Sequence, residues 1–94
     1  MNKKRLRYAI LKEVDEGNTK LKSEDFKIDD ETFYENINFL VRENYLSGIP
    51  YGSNIPMTFI GTAYLTEKGE NYLKENSALS KLYKGLKEIV SFIK

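Results

Sequence analysis

The sequence predicts an α+β domain on three observations. Two stretches with helical spacing come first, a charge-free extended stretch rich in turn residues follows, and helical spacing then returns. The chain has 94 residues, of which 40% are apolar and 13% aromatic, enough for one small core. A single domain is expected over 1–94, with helices over 1–45, an extended hairpin over 46–65 and further helices over 66–94.

Each element has its own start and stop signals. Over 3–16, Leu6, Ala9, Ile10 and Val14 share one helical face, and Gly17-Asn18 is a stop because both residues tolerate a left-handed backbone. Lys20 to Lys22 is expected as a strand stub, and Ser23-Glu24-Asp25-Phe26 as one helical turn capped by Ser23. The helix over about 30–43 is the most clearly marked. Asp29 is its N-cap, Asp30 and Glu31 place negative charge in the first turn, and Ile28 is positioned to staple onto Phe33. Its buried face is Phe33, Ile37, Leu40 and Val41, and Asn44 suits the left-handed position beyond its end.

From Leu46 the pattern becomes extended. Leu46–Tyr51 and Met57–Leu65 flank a Gly52-Ser53-Asn54 turn, and Pro50 and Pro56, lacking an N–H, belong near the tip or on an edge. Thr66 is the cap of a helix from Glu67 to about Glu75, with Tyr72 and Leu73 pointing inward. A last helix is predicted over 80–92. Leu79, Leu82, Tyr83, Leu86, Ile89, Val90 and Ile93 form its seam, expected to pack on the first helix. Gly85 weakens such a helix by about 1 kcal/mol relative to alanine, so tertiary packing must hold it.

Helix, short helix, longer helix, hairpin and helix is the order of a winged helix-turn-helix, with a three-helix core, a β-hairpin wing and additional C-terminal helices. The phrase Leu65-Thr66-Glu67-Lys68-Gly69 resembles the junction after the wing in bacterial winged-helix regulators. Leu6-Arg7-Tyr8-Ala9-Ile10-Leu11-Lys12-Glu13, Glu16-Gly17-Asn18-Thr19 and residues 65–76 carry a wider likeness. Through them the chain as a whole resembles the YjcQ-like family of small proteins of Gram-positive bacteria and their prophages. This resemblance implies a winged-helix domain and brings with it no activity, cofactor or functional residue.

Composition narrows the function. Without cysteine or histidine, a disulfide scaffold, a Cys/His zinc site, a haem ligand and a histidine general base are excluded. Isolated glycines make no phosphate loop, and Asp29-Asp30-Glu31 is explained by its helix start. Catalysis, a metal and a cofactor are therefore not expected. No apolar run approaches the roughly 20 residues of a membrane span, and none follows Lys3-Lys4-Arg5 as in a signal peptide, so a cytoplasmic location is expected.

The net charge of +1 hides an uneven distribution: residues 1–12 carry five bases and no acid, and residues 13–45 carry ten acids and four bases. Bases at the start of the first helix oppose the macrodipole, at about 0.3–1 kcal/mol per charge, which marks them as candidate anion contacts. The candidate DNA-binding set is Lys3, Lys4, Arg5 and Arg7 with Thr32, Asn36, Asn38 and Arg42 from the outer face of the 30–43 helix. Asn reads adenine and Arg reads guanine bidentately. Double-stranded DNA is thus the first expected partner of a regulatory module, as monomer or homodimer and without a membrane. The alternative is a protein-interaction adaptor. Residues 29–44 hold five acids against one base and residues 44–66 hold no charge at all, which suits phosphate poorly.

Overall fold

Asn2 starts the first helix, its side-chain oxygen accepting the Arg5 N–H at 3.1 Å, and α1 runs over Lys3–Asp15 in the computed structural model, which describes residues 1–94. Leu6, Ala9, Ile10 and Val14 are buried as the spacing requires. Leu11 is buried too, as is Tyr8, which the last segment covers through Tyr83 and Phe92. Gly17, at φ +93°, turns the chain away.

The strand stub expected at Lys20–Lys22 does not form. Leu21 instead pairs singly with Thr58: its N–H donates to the Thr58 carbonyl at 3.1 Å, and the Thr58 hydroxyl returns a bond to the Leu21 carbonyl at 2.7 Å. Ser23–Phe26 is a single 3-10 turn, but Ser23 is not its cap. The Asp25 carboxylate accepts the Lys22 N–H at 3.0 Å, leaving the Ser23 hydroxyl to donate to Asp30 at 2.5 Å.

α2 spans Asp30–Arg42 behind its Asp29 cap, which accepts the Thr32 N–H at 3.3 Å. Phe33, Ile37 and Leu40 are buried, Val41 is half-buried, and Asn44 takes φ +65° just past the end. Phe33 stacks on Phe26 with centroids 5.8 Å apart, so the short turn and α2 share one core.

The hairpin is two nested ladders rather than two long arms. β1 (Leu46–Ser47) pairs antiparallel with β4 (Tyr64–Leu65) at the base, and β2 (Tyr51–Gly52) with β3 (Ile55–Pro56) at the tip. Ser53 and Asn54 form the two-residue turn, both at positive φ, as the right-handed twist of a tight hairpin demands. A 3-10 turn at Thr58–Ile60 interrupts the returning arm, because Thr58 is drawn inward to Leu21.

α3 covers Glu67–Glu75. The Thr66 hydroxyl accepts the Gly69 N–H at 3.1 Å and donates to the Asn44 carbonyl at 2.6 Å, tying the start of α3 to the end of α2. Gly69 is required here, since a Cβ would stand 2.2 Å from the Tyr45 carbonyl oxygen. Tyr72 and Leu73 are half-buried against the core.

The single last helix predicted over 80–92 is corrected. Helix α4 occupies only Ser77–Ser80, and after Gly85 a 3-10 turn at Leu86–Glu88 leads into α5 (Ile89–Ile93). Gly85 has φ +91° and ψ −179°, a conformation open essentially to glycine alone, and there the chain bends back. The seam is broken accordingly: Tyr83, Ile89 and Ile93 are buried, while Leu82 and Val90 are 51% and 54% exposed. The expected packing on the first helix does occur, through α5 on α1, with Tyr8, Tyr83 and Phe92 in mutual ring contact. The whole is a small α+β globule of five α-helices and two two-stranded sheets. None of its helices is long and apolar enough to cross a membrane.

Candidate interaction surface

The eight residues singled out as DNA contacts do not form one face. Asn36 is buried at 1% exposure: its carboxamide oxygen accepts Arg7 Nε at 2.8 Å and its nitrogen donates to the Thr32 carbonyl at 2.8 Å. It is therefore unavailable as a base reader, and Thr32 beside it is half-buried. The spacing carried the signal, since Asn36 lies three residues after Phe33 and so on the same buried side of α2. Arg7 is held in that interface, its guanidinium 3.6 Å from the centroid of the Phe39 ring. Arg5 turns to the chain's end, donating to the Phe92 carbonyl at 3.2 Å and lying over the Phe92 ring. Asn38 accepts the Tyr51 hydroxyl at 2.8 Å and so fastens α2 to the hairpin. Lys3, Lys4 and Arg42 are exposed, Arg42 paired with Glu43 at 3.5 Å.

Charge on α2 is consequently split by end. Asp29, Asp30, Glu31 and Glu35 occupy the amino-terminal half, and the Asp29 carboxyl is held below its ordinary pKa by the Thr32 hydrogen bond. Arg7 and Arg42 gather around Phe39 near the carboxyl end, Arg42 at 5.6 Å from the ring.

A groove of about 220 Å³ lies between the acidic end of α2 and the hairpin. Leu21, Phe33, Tyr34, Ile55, Pro56 and Phe59 supply its apolar lining, with Glu24, Asp30 and Lys22 at its edges. Ile55 and Phe59 are 46% and 60% exposed, and Tyr51, Ile60 and Tyr64 on the same hairpin are also exposed. Ile55, Phe59, Ile60 and Tyr64 were not among the candidates read from sequence. Phe59 and Ile60 face water because Thr58 is turned inward to Leu21, which rotates these neighbours outward. A broader concavity of about 560 Å³ lies between the Ser23–Phe26 turn and Leu86. Its lining is charged except for Leu86, so it offers little apolar surface to desolvate.

A smaller pocket of about 230 Å³ opens where α1, α2 and α3 meet, walled by Lys4, Arg7, Phe39, Leu40, Tyr45 and Tyr72. Tyr45 stacks against Phe39 at 6.5 Å and meets Tyr72 edge-on at 5.3 Å. Burial raises the Tyr72 hydroxyl above its ordinary pKa, so it stays protonated across the physiological range.

The sequence profile of the family described as "YjcQ protein" matches residues 5–92. The chain is 51% identical over 94 residues to the uncharacterized protein YjcQ of Bacillus subtilis (strain 168), spanning the full length of both. It is also similar to a solution NMR structure of the YjcQ protein from Bacillus subtilis, with a TM-score of 0.68 and 44% identity. That likeness covers 85% of this chain and 97% of the other.

Proposed function

The chain belongs to the YjcQ family, and on that premise we propose that it is a winged-helix module acting as a protein-interaction adaptor, with the hairpin as its wing. The element order supports the winged-helix reading: α1, the Ser23–Phe26 turn and α2 precede a hairpin that closes on α3. The observation that carries the adaptor reading is the groove between the wing and the start of α2. It has an apolar lining, exposed Ile55 and Phe59, and a wing with no charged residue to grip phosphate. Glu24 and Asp30 at its edge, with Asp29, Glu31 and Glu35 nearby on α2, outnumber the one edge cation, Lys22, and select a partner segment that is apolar with basic flanks.

Duplex DNA is the second reading, favoured by the exposed Lys3, Lys4 and Arg42. A recognition helix presents its amino-terminal residues to base edges, and here that end is the acidic one, so the adaptor is preferred.

The test is selection from a random peptide library on the whole protein, repeated with the Ile55→Ser and Phe59→Ser variants. The adaptor predicts enriched peptides with an apolar core and Lys or Arg flanks, lost on both variants. Enrichment unaffected by the variants, or peptides without basic flanks, would overturn it. So would a wild-type dimer dispersed by Phe59→Ser, which would make the occupant a second copy.

A further inference from the structure

We propose that the pocket between α1, α2 and α3 is a binding site for a small aromatic carboxylate, gripped by Arg7 and Lys4. The basis is the way Arg7 is held. Its guanidinium carbon sits 3.6 Å from the Phe39 ring centroid, and Nε is committed to Asn36, a buried side chain that the Thr32 carbonyl fixes in turn. Both Nη groups are left without a partner in the chain. An arginine orientation fixed by a buried amide, with its terminal fork free, is pre-organised for a planar bidentate anion. Lys4 stands on the same pocket wall and adds a second cation.

The rest of the lining defines the body attached to that anion. Phe39, Leu40, Tyr45 and Tyr72 make the pocket predominantly apolar and aromatic, a lining suited to an aromatic body. At about 230 Å³ it exceeds the roughly 150 Å³ that accommodates benzene, leaving room for a ring and a short acid arm. The pocket's own lining carries two cations and no acid, Lys4 and Arg7. Arg42 near Phe39 is paired with Glu43, and Lys68, Glu67 and Glu75 belong to a separate cleft beside Tyr45 and Tyr72. This site lies away from the wing groove and stands independently of the adaptor reading.

Phenylacetate and its neutral isostere phenylacetamide, titrated into the isotopically labelled full chain and followed by amide and ring NMR shifts, test the proposal. Phenylacetate is expected to give saturable shifts at Lys4, Arg7, Phe39, Tyr45 and Tyr72. A Kd of about 5 mM or tighter is the strength that about ten atoms supply. Phenylacetamide and the Arg7→Met variant should each bind at least about tenfold more weakly, the loss expected for a charge-assisted hydrogen bond. Lys4→Gln, at an exposed position, leaves the fold intact and should weaken phenylacetate severalfold. If Arg7→Met does not fold, Lys4→Gln decides. Equal binding of the amide, unchanged binding in Lys4→Gln, or no saturable shift with phenylacetate would overturn the assignment.

Discussion

The Tyr83 hydroxyl donates to the Glu13 carboxylate across 70 residues of sequence, while the other Glu13 oxygen accepts the Asn18 amide at 2.9 Å. One carboxylate thus anchors both the turn after α1 and the segment that precedes α5. Tyr83→Phe removes the donor from a partly buried acceptor and should cost about 1–3 kcal/mol, read as a lowered midpoint in urea unfolding.

The same pair sets an alkaline limit. Burial, and then the Glu13 hydrogen bond, push the Tyr83 phenol well above its ordinary value of 10.0. The folded state therefore keeps this proton where the unfolded state releases it. The contribution of Tyr83 is complete below about pH 10 and is lost as the pH rises above that value. Thermal unfolding between pH 8 and 11.5 should show a steeper fall for the wild type than for Tyr83→Phe. Parallel curves would remove Tyr83 as a source of the effect.

Gly69→Ala should destabilise by about 1–3 kcal/mol or more, because the new methyl group meets backbone at 2.2 Å rather than a movable side chain. At Gly85 a Cβ meets nothing within 4 Å, yet Gly85→Ala should still cost about 1–3 kcal/mol, through φ +91° alone. Gly85→D-Ala, made by chemical synthesis, separates the two causes: it should recover most of the loss at position 85.

Ile89→Ala should lower stability by about 2–5 kcal/mol, since Ile89 is fully packed. Leu86→Ala should cost less, about 1–2 kcal/mol, because Leu86 already keeps part of its surface in water. Differential scanning calorimetry of both variants tests the order. The buried half of the seam packs within the chain, so the wild-type melting temperature should not change with protein concentration.

Duplex DNA offers a direct contrast with peptide selection. The adaptor reading expects no saturable binding of random-sequence duplex at low salt, by fluorescence polarisation. If binding is found, replacing Lys3, Lys4 and Arg42 with alanine should flatten the salt slope by up to about three units, which would shift the assignment to DNA.

Local rules made the start of α2, the cap at Thr66 and the left-handed Asn44 legible, because each depends on residues within one turn. The last segment misled for the same reason. Its apolar residues keep helical spacing from Leu79 to Ile93, and only the choice of Gly85 to leave the helical region reveals the bend. That choice is made by Tyr8, where Tyr83 and Phe92 both pack, far away in sequence. The Arg7–Asn36 bond was equally hidden, since it depends on the relative rotation of two helices. The apolar surface of the hairpin was visible as composition but not as a site, because the outward turn of Phe59 and Ile60 is fixed by Thr58 reaching Leu21.

The closure of the hairpin at its base leaves its tip free to change length. β1 pairs with β4, and Thr66 clamps the end of α2 to the start of α3, so no bond of that frame runs through Ser53 or Asn54. Once the two-residue turn is opened, each further doubling of the loop adds about 0.6 kcal/mol of loop entropy. Residues inserted between Ser53 and Asn54 would ride on an undisturbed foundation, which makes this turn the natural place to graft a tag, a fluorophore or a second recognition segment.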